Sequence, residues 1–151
     1  MTPAPSIVHT ATHFLIVDKP AGWLVHPTRR DGTFTLIDWL REQFPGEFLS
    51  LVSRLDRETS GLLLAARGKP SASILGKMQQ RREIQKTYLA IVHGRPPESG
   101  VIDEPLDRIG KHRPSRIYIR QGVIPGSYAA VTHFRTLATR TSSAHGEISL
   151  V

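Results

Sequence analysis

The stretch Ser53–Ala66, with the sequence SRLDRETSGLLLAA, joins a charged turn to an apolar run. Asp56 stands between Arg54 and Arg57, and the apolar residues Gly61–Ala66 predict a buried strand directly after the turn. A loop anchored by a buried strand can hold a reactive side chain still while leaving it reachable. The stretch therefore predicts a fixed loop that presents Asp56.

A purely structural role for Asp56 is the alternative, in which the carboxylate pairs with an arginine and caps the turn. For an isolated Arg-Leu-Asp this structural role is the more common one, because turn aspartates and ion pairs are frequent. The order of the surrounding motifs favours the functional role here.

Four further segments stand in order around this stretch: FLIVDKPAG at Phe14–Gly22, VHP at Val25–Pro27, QKTYLAIVHG at Gln85–Gly94 and AVTHF at Ala130–Phe134. Together they resemble the RluA-type pseudouridine synthases, whose pattern His-Arg-Leu-Asp-x-x-Thr-Ser-Gly is matched except that Ser53 replaces the usual His. The resemblance covers about residues 10–151. It implies an α/β (α+β) fold with a mixed, mainly antiparallel sheet and flanking helices.

The resemblance also implies the chemistry. These enzymes break the N-glycosidic bond of a uridine and rejoin the base through carbon, using a carboxylate and no metal or cofactor. Asp56 would act as the catalytic nucleophile or base. Arg54 would occupy the space left by the turned-out nucleotide, and Tyr88 would stack beside the uracil. From spacing alone, a core tyrosine is an equal alternative for Tyr88.

Burial opposes the charged form of a carboxylate, and a cation beside it favours that form. We expect Asp56 to be half-buried, which gives Arg54 or Arg57 a physical reason for its position. The expected partner is structured RNA, either ribosomal or transfer RNA.

The C-terminal end departs from the family pattern. After a strand like Glu147–Val151 the family continues into a Gly-Arg-Thr-His-Gln-Ile-Arg segment, whose arginine supports the aspartate, and this segment does not occur in the chain. We expect residues 1–12 to be a flexible lead-in and residues 13–151 to be the N-terminal part of the catalytic domain, incomplete at the C-terminus. An open edge at Glu147–Val151 would permit self-association, and this form would be inactive or nearly so.

Composition is compatible with such a protein. With 20 Lys and Arg against 13 Asp and Glu, the 151-residue chain carries a formal charge of +7, which favours polyanions. It contains no cysteine, which excludes disulfides and thiolate metal sites and fits a cytoplasmic protein. No apolar run approaches membrane-spanning length.

Three other functional classes are to be compared with this one. The seven histidines lack His-x-His or His-Glu-x-x-His spacing, so a metal site is not expected. A retaining glycoside hydrolase would need a second carboxylate, for which the candidates Glu58 and Asp38 have no matching context. A catalytically inactive fragment that only binds RNA remains an alternative.

Periodicity predicts two helices and several strands. The first helix spans Thr35–Phe44 with Thr35 as its cap, and the second begins at Lys69 with Ile74, Leu75 and Met78 facing the core. Strands are expected at 13–17, 87–94, 116–120 and 127–136, with a turn at Gly122–Gly126 between the last two. The last three strands are expected to pair antiparallel.

Two basic segments are candidates for contact with the RNA backbone. These are Lys77–Arg82 at the end of the second helix and the loop Lys111–Arg116. A solvated surface is the ordinary alternative for both segments.

Overall fold

The computed structural model describes residues 3–27, 32–117 and 119–151. The chain divides into two units, residues 1–86 and residues 87–151, and each is described by itself. The described residues of the first unit form four strands and two helices: β1 (Ser6–Thr10), β2 (Phe14–Lys19), α1 (Leu36–Gln43), β3 (Leu49–Leu51), β4 (Gly61–Arg67) and α2 (Lys69–Gln80).

The sheet of the first unit has the order β1-β2-β4-β3, with each neighbouring pair antiparallel. In the β2–β4 pair, Leu15 lies opposite Ala65 and Val17 lies opposite Leu63. Because side chains alternate across a strand, these four residues share one face of the sheet, and all four are buried. Helix α1 covers this face through Leu36, Ile37 and Leu40.

Helix α1 begins as the sequence predicts, with Thr35 at its N-cap. The Thr35 backbone N–H and hydroxyl both donate to the Asp38 carboxylate, at 3.2 and 2.6 Å. Such a capping arrangement satisfies donors that the first helical turn leaves unpaired. It also occupies Asp38, which is therefore poorly placed as the acid of a glycoside hydrolase.

Three expectations for the first unit are wrong in detail. Residues 6–10 are not a loose lead-in, because β1 pairs with β2. Leu62 on β4 is exposed, since alternation turns it away from the core. Ile74 on α2 is also exposed, and Leu75 and Met78 are only partly buried, because α2 lies at the surface with every residue at least partly accessible.

Where it is described, the second unit forms strands in small sheets and a short 3-10 helix at Ile109–Lys111. The sheets have the strand orders β10-β11-β5, β6-β9 and β7-β8, and every pairing is antiparallel. The strands are β5 (Ile91–His93), β6 (Ser99–Asp103), β7 (Leu106–Arg108), β8 (Gln121–Val123), β9 (Val131–Arg135), β10 (Ala138–Ser142) and β11 (Gly146–Leu150).

Strand boundaries in this unit differ from the expectation. The predicted strand 87–94 is reduced to β5, and the strand predicted at 127–136 to β9. The described residues of 116–120 form bends and turns, whereas strand β8 lies in the Gly122–Gly126 region that we expected to be a turn.

Strand β11 is not the open edge that the sequence suggested. It lies between β10 and β5 and forms backbone pairs with both. Pairing extends to the last residue, where the N–H groups and carbonyls of Ala90 and Val151 exchange hydrogen bonds of 2.9 Å. The outer strands of this sheet are β5 and β10.

The predicted fold class is confirmed, because the described parts of the chain form antiparallel sheets accompanied by two α-helices. Within the described ranges, no helix has the length and apolar character needed to cross a bilayer.

Candidate active site

Asp56 lies on the loop that joins β3 to β4. The preceding residue, Leu55, is buried in the core of the first unit, and this burial anchors the loop to the core. The Thr59 N–H donates to the Asp56 carbonyl at 3.1 Å and closes a tight turn. With Leu55 turned inward and the turn closed, the Asp56 side chain points outward from a constrained backbone.

A buried lysine holds the other side of the loop. Lys19, at the end of β2, has 0% exposed surface, and its ammonium donates to the carbonyls of Pro20, Trp23 and Arg57 at 3.0, 3.0 and 3.1 Å. The Gly22 N–H reaches the same Arg57 carbonyl at 2.7 Å. The end of β2 and the turn after it are therefore hydrogen-bonded to Arg57, the residue next to Asp56.

The electrostatics of Lys19 reflect this position. Burial lowers the pKa of Lys19, while the carboxylates of Glu58 and Asp56 oppose that shift. Because three carbonyl oxygens replace the lost water, the ammonium can remain charged beneath the loop. Its positive charge then interacts with the carboxylates of Glu58 and Asp56.

Lys19 was missed as a site residue. The Phe14–Gly22 segment contains Lys19, but the sequence pattern alone assigns no role to its side chain. The available signal was a lysine at the end of an apolar strand, directly before a Pro-Ala-Gly turn that exposes carbonyl groups. A lysine in that setting is expected to seek such acceptors when it is buried.

Arg54 is the arginine that pairs with Asp56. Its Nη2 lies 3.4 Å from Oδ1 of Asp56, and the two side chains are 72% and 81% exposed. The expected neighbouring arginine is thus present, but the expected half-burial of Asp56 is wrong. An exposed pair of this kind contributes little to stability, so both groups remain available for a ligand.

Arg57 contacts Gly22 and Glu58, whereas the sequence offers it as a possible partner of Asp56. Its Nε donates to the Gly22 carbonyl at 3.2 Å and lies 3.8 Å from Oε1 of Glu58. Together with the Gly22 N–H contact to its carbonyl, this arrangement ties Arg57 to the turn after β2 at two points. Arg57 stabilises the loop, and Arg54 faces the carboxylate.

Tyr88 lies in the second unit, just before β5, and its side chain is 55% exposed. The core alternative for this tyrosine is therefore excluded by its exposure. Its predicted stacking on uracil stays a prediction.

His26 follows the Pro20–Gly22 turn after β2, and the charge of Arg54 affects its pKa. The pKa of His26 is lowered, first because nearby protein atoms displace water, and then because Arg41 and Arg54 place positive charge close to the ring; Asp38 opposes the shift. His26 is an exposed residue. Substituting either arginine therefore tests how much its positive charge lowers the pKa of His26. At neutral pH a histidine with a lowered pKa is uncharged.

We predict that Arg54→Gln raises the pKa of His26, because one of the cations opposing its protonation is removed. The titration of the His26 ring protons by NMR measures this directly. Arg57→Gln serves as the control and should leave the midpoint in place. Since the folded-state pKa lies below the unfolded value of about 6.5, His26 favours folding above that pH, and its contribution is lost as the pH falls toward the folded-state pKa. An unchanged midpoint in Arg54→Gln would contradict the prediction.

Among the described residues, no group of three or more His, Asp or Glu side chains is arranged to hold a metal ion. The charged groups gathered at the loop are Asp56, Arg54, Arg57, Glu58 and Lys19. Their arrangement offers two accessible carboxylates, Asp56 and Glu58, and two accessible guanidinium groups on a rigid support. Such a set suits nucleophilic or base chemistry on an anionic ligand.

Comparison with known proteins identifies the family. The sequence model of the RNA pseudouridylate synthase family matches residues 13–151, which contain the whole loop and its supports. The chain belongs to this family. The expected relationship is thereby confirmed.

Relatives of this pseudouridylate synthase family member include the ribosomal large subunit pseudouridine synthase D of Nitrosomonas europaea. It is 35% identical over 135 residues, which are 87% of this chain and 38% of the relative. The tRNA pseudouridine synthase C of Yersinia pestis is 40% identical over 109 residues, which are 68% of this chain and 42% of the relative. The chain thus spans about two fifths of the length of these relatives.

The fold of this family member is also similar to a solved structure, that of human RNA pseudouridylate synthase domain containing 4. The two share 26% sequence identity with a TM-score of 0.68, and the similarity covers 95% of this chain and 56% of the human one. The antiparallel architecture described above is therefore that of the family.

Proposed function

We propose that this chain is the part of an RNA pseudouridine synthase that carries the catalytic aspartate, Asp56. In the intact enzyme it would convert uridines in structured ribosomal or transfer RNA to pseudouridine. The observation that carries the proposal is the Asp56 loop: an exposed carboxylate on a backbone fixed by buried Leu55 and by the ammonium of Lys19. The substrate classes follow the names of relatives that match this chain.

The reaction is an isomerisation, so no outside reagent is required. The bond between N1 of uracil and C1′ of ribose breaks, and a bond between C5 and C1′ forms. C5 loses its proton and N1 gains one, so substrate and product contain the same atoms. A carboxylate can assist in either of two ways, by adding covalently or by removing a ribose proton. Asp56 suits both, since its oxygen atoms are accessible and its backbone is fixed.

Arg54 and Tyr88 complete the proposal. The target base is stacked within the RNA and must be turned out before its atoms can be reached. Arg54, exposed beside Asp56, would fill the vacated space and contact the neighbouring phosphate. Tyr88 has an accessible ring that would stack on the extruded uracil.

The test is tritium release from transcripts that contain 5-tritiated uridine. We would assay the 151-residue chain and a chimera in which the remaining sequence of the Nitrosomonas europaea relative follows Val151. We expect turnover from the chimera and little or none from the short chain, since the short chain covers 38% of that relative. Absence of turnover from a folded chimera that binds RNA would count against the proposed activity.

A second candidate is an inactive chain that binds RNA. The observation that favours it is the net charge of +7 on a chain spanning about two fifths of its relatives. It predicts salt-sensitive RNA binding with no turnover in either form. A location in the cytoplasm fits both candidates. Self-association by strand addition to the sheet that contains β11 would use β5 or β10, because β11 is paired on both sides.

A further inference from the structure

A buried carboxylate organises the basic loop of the second unit. Asp107, on β7, has 9% of its surface exposed. Its Oδ1 accepts hydrogen bonds from the Arg108 N–H at 2.7 Å and from Lys111 Nζ at 2.9 Å, and its Oδ2 lies 3.0 Å from Nε2 of His112. These bonds, from His112, Lys111 and the Arg108 amide in that order of effect, hold the pKa of Asp107 well below its usual range.

The same contacts fix the backbone that follows Asp107. Lys111 is the last residue of the short 3-10 helix. The N–H groups of His112 and Arg113 both donate to the Ile109 carbonyl at 3.0 Å. The Lys111 ammonium also lies 5.6 Å from the centre of the Tyr128 ring. A compact turn is thereby built around one carboxylate.

Gly122 on β8 supports this turn from the neighbouring strand. A side chain at Gly122 would come within 2.8 Å of the Ile109 side chain, which would then have to move. The pairing of β7 with β8 places Gly122 opposite Asp107. The turn is therefore packed as well as hydrogen-bonded.

The segment held in this way is strongly cationic. Residues 108–117 contain four Arg and Lys and one His, and no Asp or Glu. Arg113 and Arg116 are exposed. Four cations on ten residues repel one another, and Asp107 supplies a nearby anion from within the fold that reduces this repulsion.

We propose that Asp107 is a positioning residue that holds segment 108–117 as a preformed cationic surface for the sugar-phosphate backbone of structured RNA. Lys111 and His112 serve as its ties, and the exposed arginines contact phosphates. Preorganisation lowers the entropy lost on binding, so this arrangement raises affinity without adding a contact. The proposal rests on the proposed function only in taking RNA as the ligand.

Charge and position make opposite predictions for Asp107→Asn. The substitution removes a negative charge, which by itself would tighten binding to RNA. If Asp107 positions the segment, its loss instead weakens binding. Asp103→Asn on β6 is the matched control, because Asp103 is exposed in the same unit and the charge change is identical.

The measurement is fluorescence anisotropy with a short RNA stem-loop transcript over a range of salt concentrations. We expect Asp107→Asn to weaken binding about eightfold at 0.1 M salt for each phosphate that the segment no longer neutralises, with the slope of log K against log salt shallower by about 0.9. Asp103→Asn should bind as well as the wild type or better. Binding by Asp107→Asn that equals or exceeds the wild type, with the same slope, overturns the proposal.

A second pair of variants covers the case in which Asp107→Asn does not fold. Lys111→Gln and Arg113→Gln each remove one exposed cation, but only Lys111→Gln removes a tie to Asp107. We expect Lys111→Gln to speed amide exchange at His112 and Arg113 without RNA and to weaken RNA binding more than Arg113→Gln does. Equal losses with unchanged exchange overturn the proposal. Wild-type protein that does not bind RNA at all would instead contradict the proposed function.

Discussion

Replacing Asp56 by Asn is expected to lower pseudouridine formation more than about a thousandfold, the scale seen when a single reacting group is removed from an enzyme. The amide nearly preserves the shape of the side chain but lacks the charge and nucleophilicity that the proposed reaction requires. Because the Asp56 side chain is 81% exposed, the substitution should leave folding unchanged. Removing its exposed pairing with Arg54 has little effect on stability.

The experiment compares tritium release by the active chimera and by its Asp56→Asn variant. Glu58→Gln is the matched control, because Glu58 is an exposed carboxylate two residues away on the same loop. The control should retain activity, and both variants should bind the stem-loop RNA at least as well as the parent, since each loses a negative charge. Full turnover by Asp56→Asn would remove Asp56 from the mechanism.

Replacing Lys19 by Met is expected to lower the free energy of unfolding by about 2–4 kcal/mol. Methionine fills a similar volume but cannot donate, so the carbonyls of Pro20 and Trp23 lose the ammonium, and that of Arg57 keeps the Gly22 N–H. Each buried carbonyl left without a donor is destabilising by about 1–3 kcal/mol. The loop that presents Asp56 also loses one of its supports.

Urea unfolding and amide exchange at Thr59 measure the two consequences separately. Lys69→Met is the control, because Lys69 is an exposed lysine at the start of α2, and its replacement should change stability by less than about 0.5 kcal/mol. If Lys19→Met leaves both the unfolding free energy and the exchange at Thr59 unaltered, the ammonium does not support the loop.

The two predictions concern different kinds of contact. The pairing of Asp56 with Arg54 is local in the sequence, whereas the support from Lys19 comes from a distant part of the chain. Asp56 and Arg54 are two residues apart, so their pairing at 3.4 Å follows from a short loop whose ends are fixed. The support from Lys19 joins residues 38 positions apart, and nothing in the local pattern around Asp56 contains it. A substitution at Lys19 therefore tests a feature that became visible only in three dimensions.

The amino-acid sequence by itself determined the family and the antiparallel fold class through its ordered motifs. Through periodicity and turn chemistry it also determined the capped start of α1 at Thr35 and the loop that carries Asp56. The last two features depend on residues close together in the chain, where spacing and side-chain type restrict the backbone strongly. The motifs are spread along most of the chain, and the family model matches residues 13–151.

The tertiary structure alone decided which surfaces are covered. It placed α2 at the surface with Ile74 exposed, exposed Asp56 instead of half-burying it, and set β11 between two strands. It also brought Lys19 beneath the Arg57 carbonyl and gathered Lys111 and His112 around Asp107. Burial and strand order depend on packing between residues far apart in sequence, and an apolar or charged pattern is compatible with several such packings.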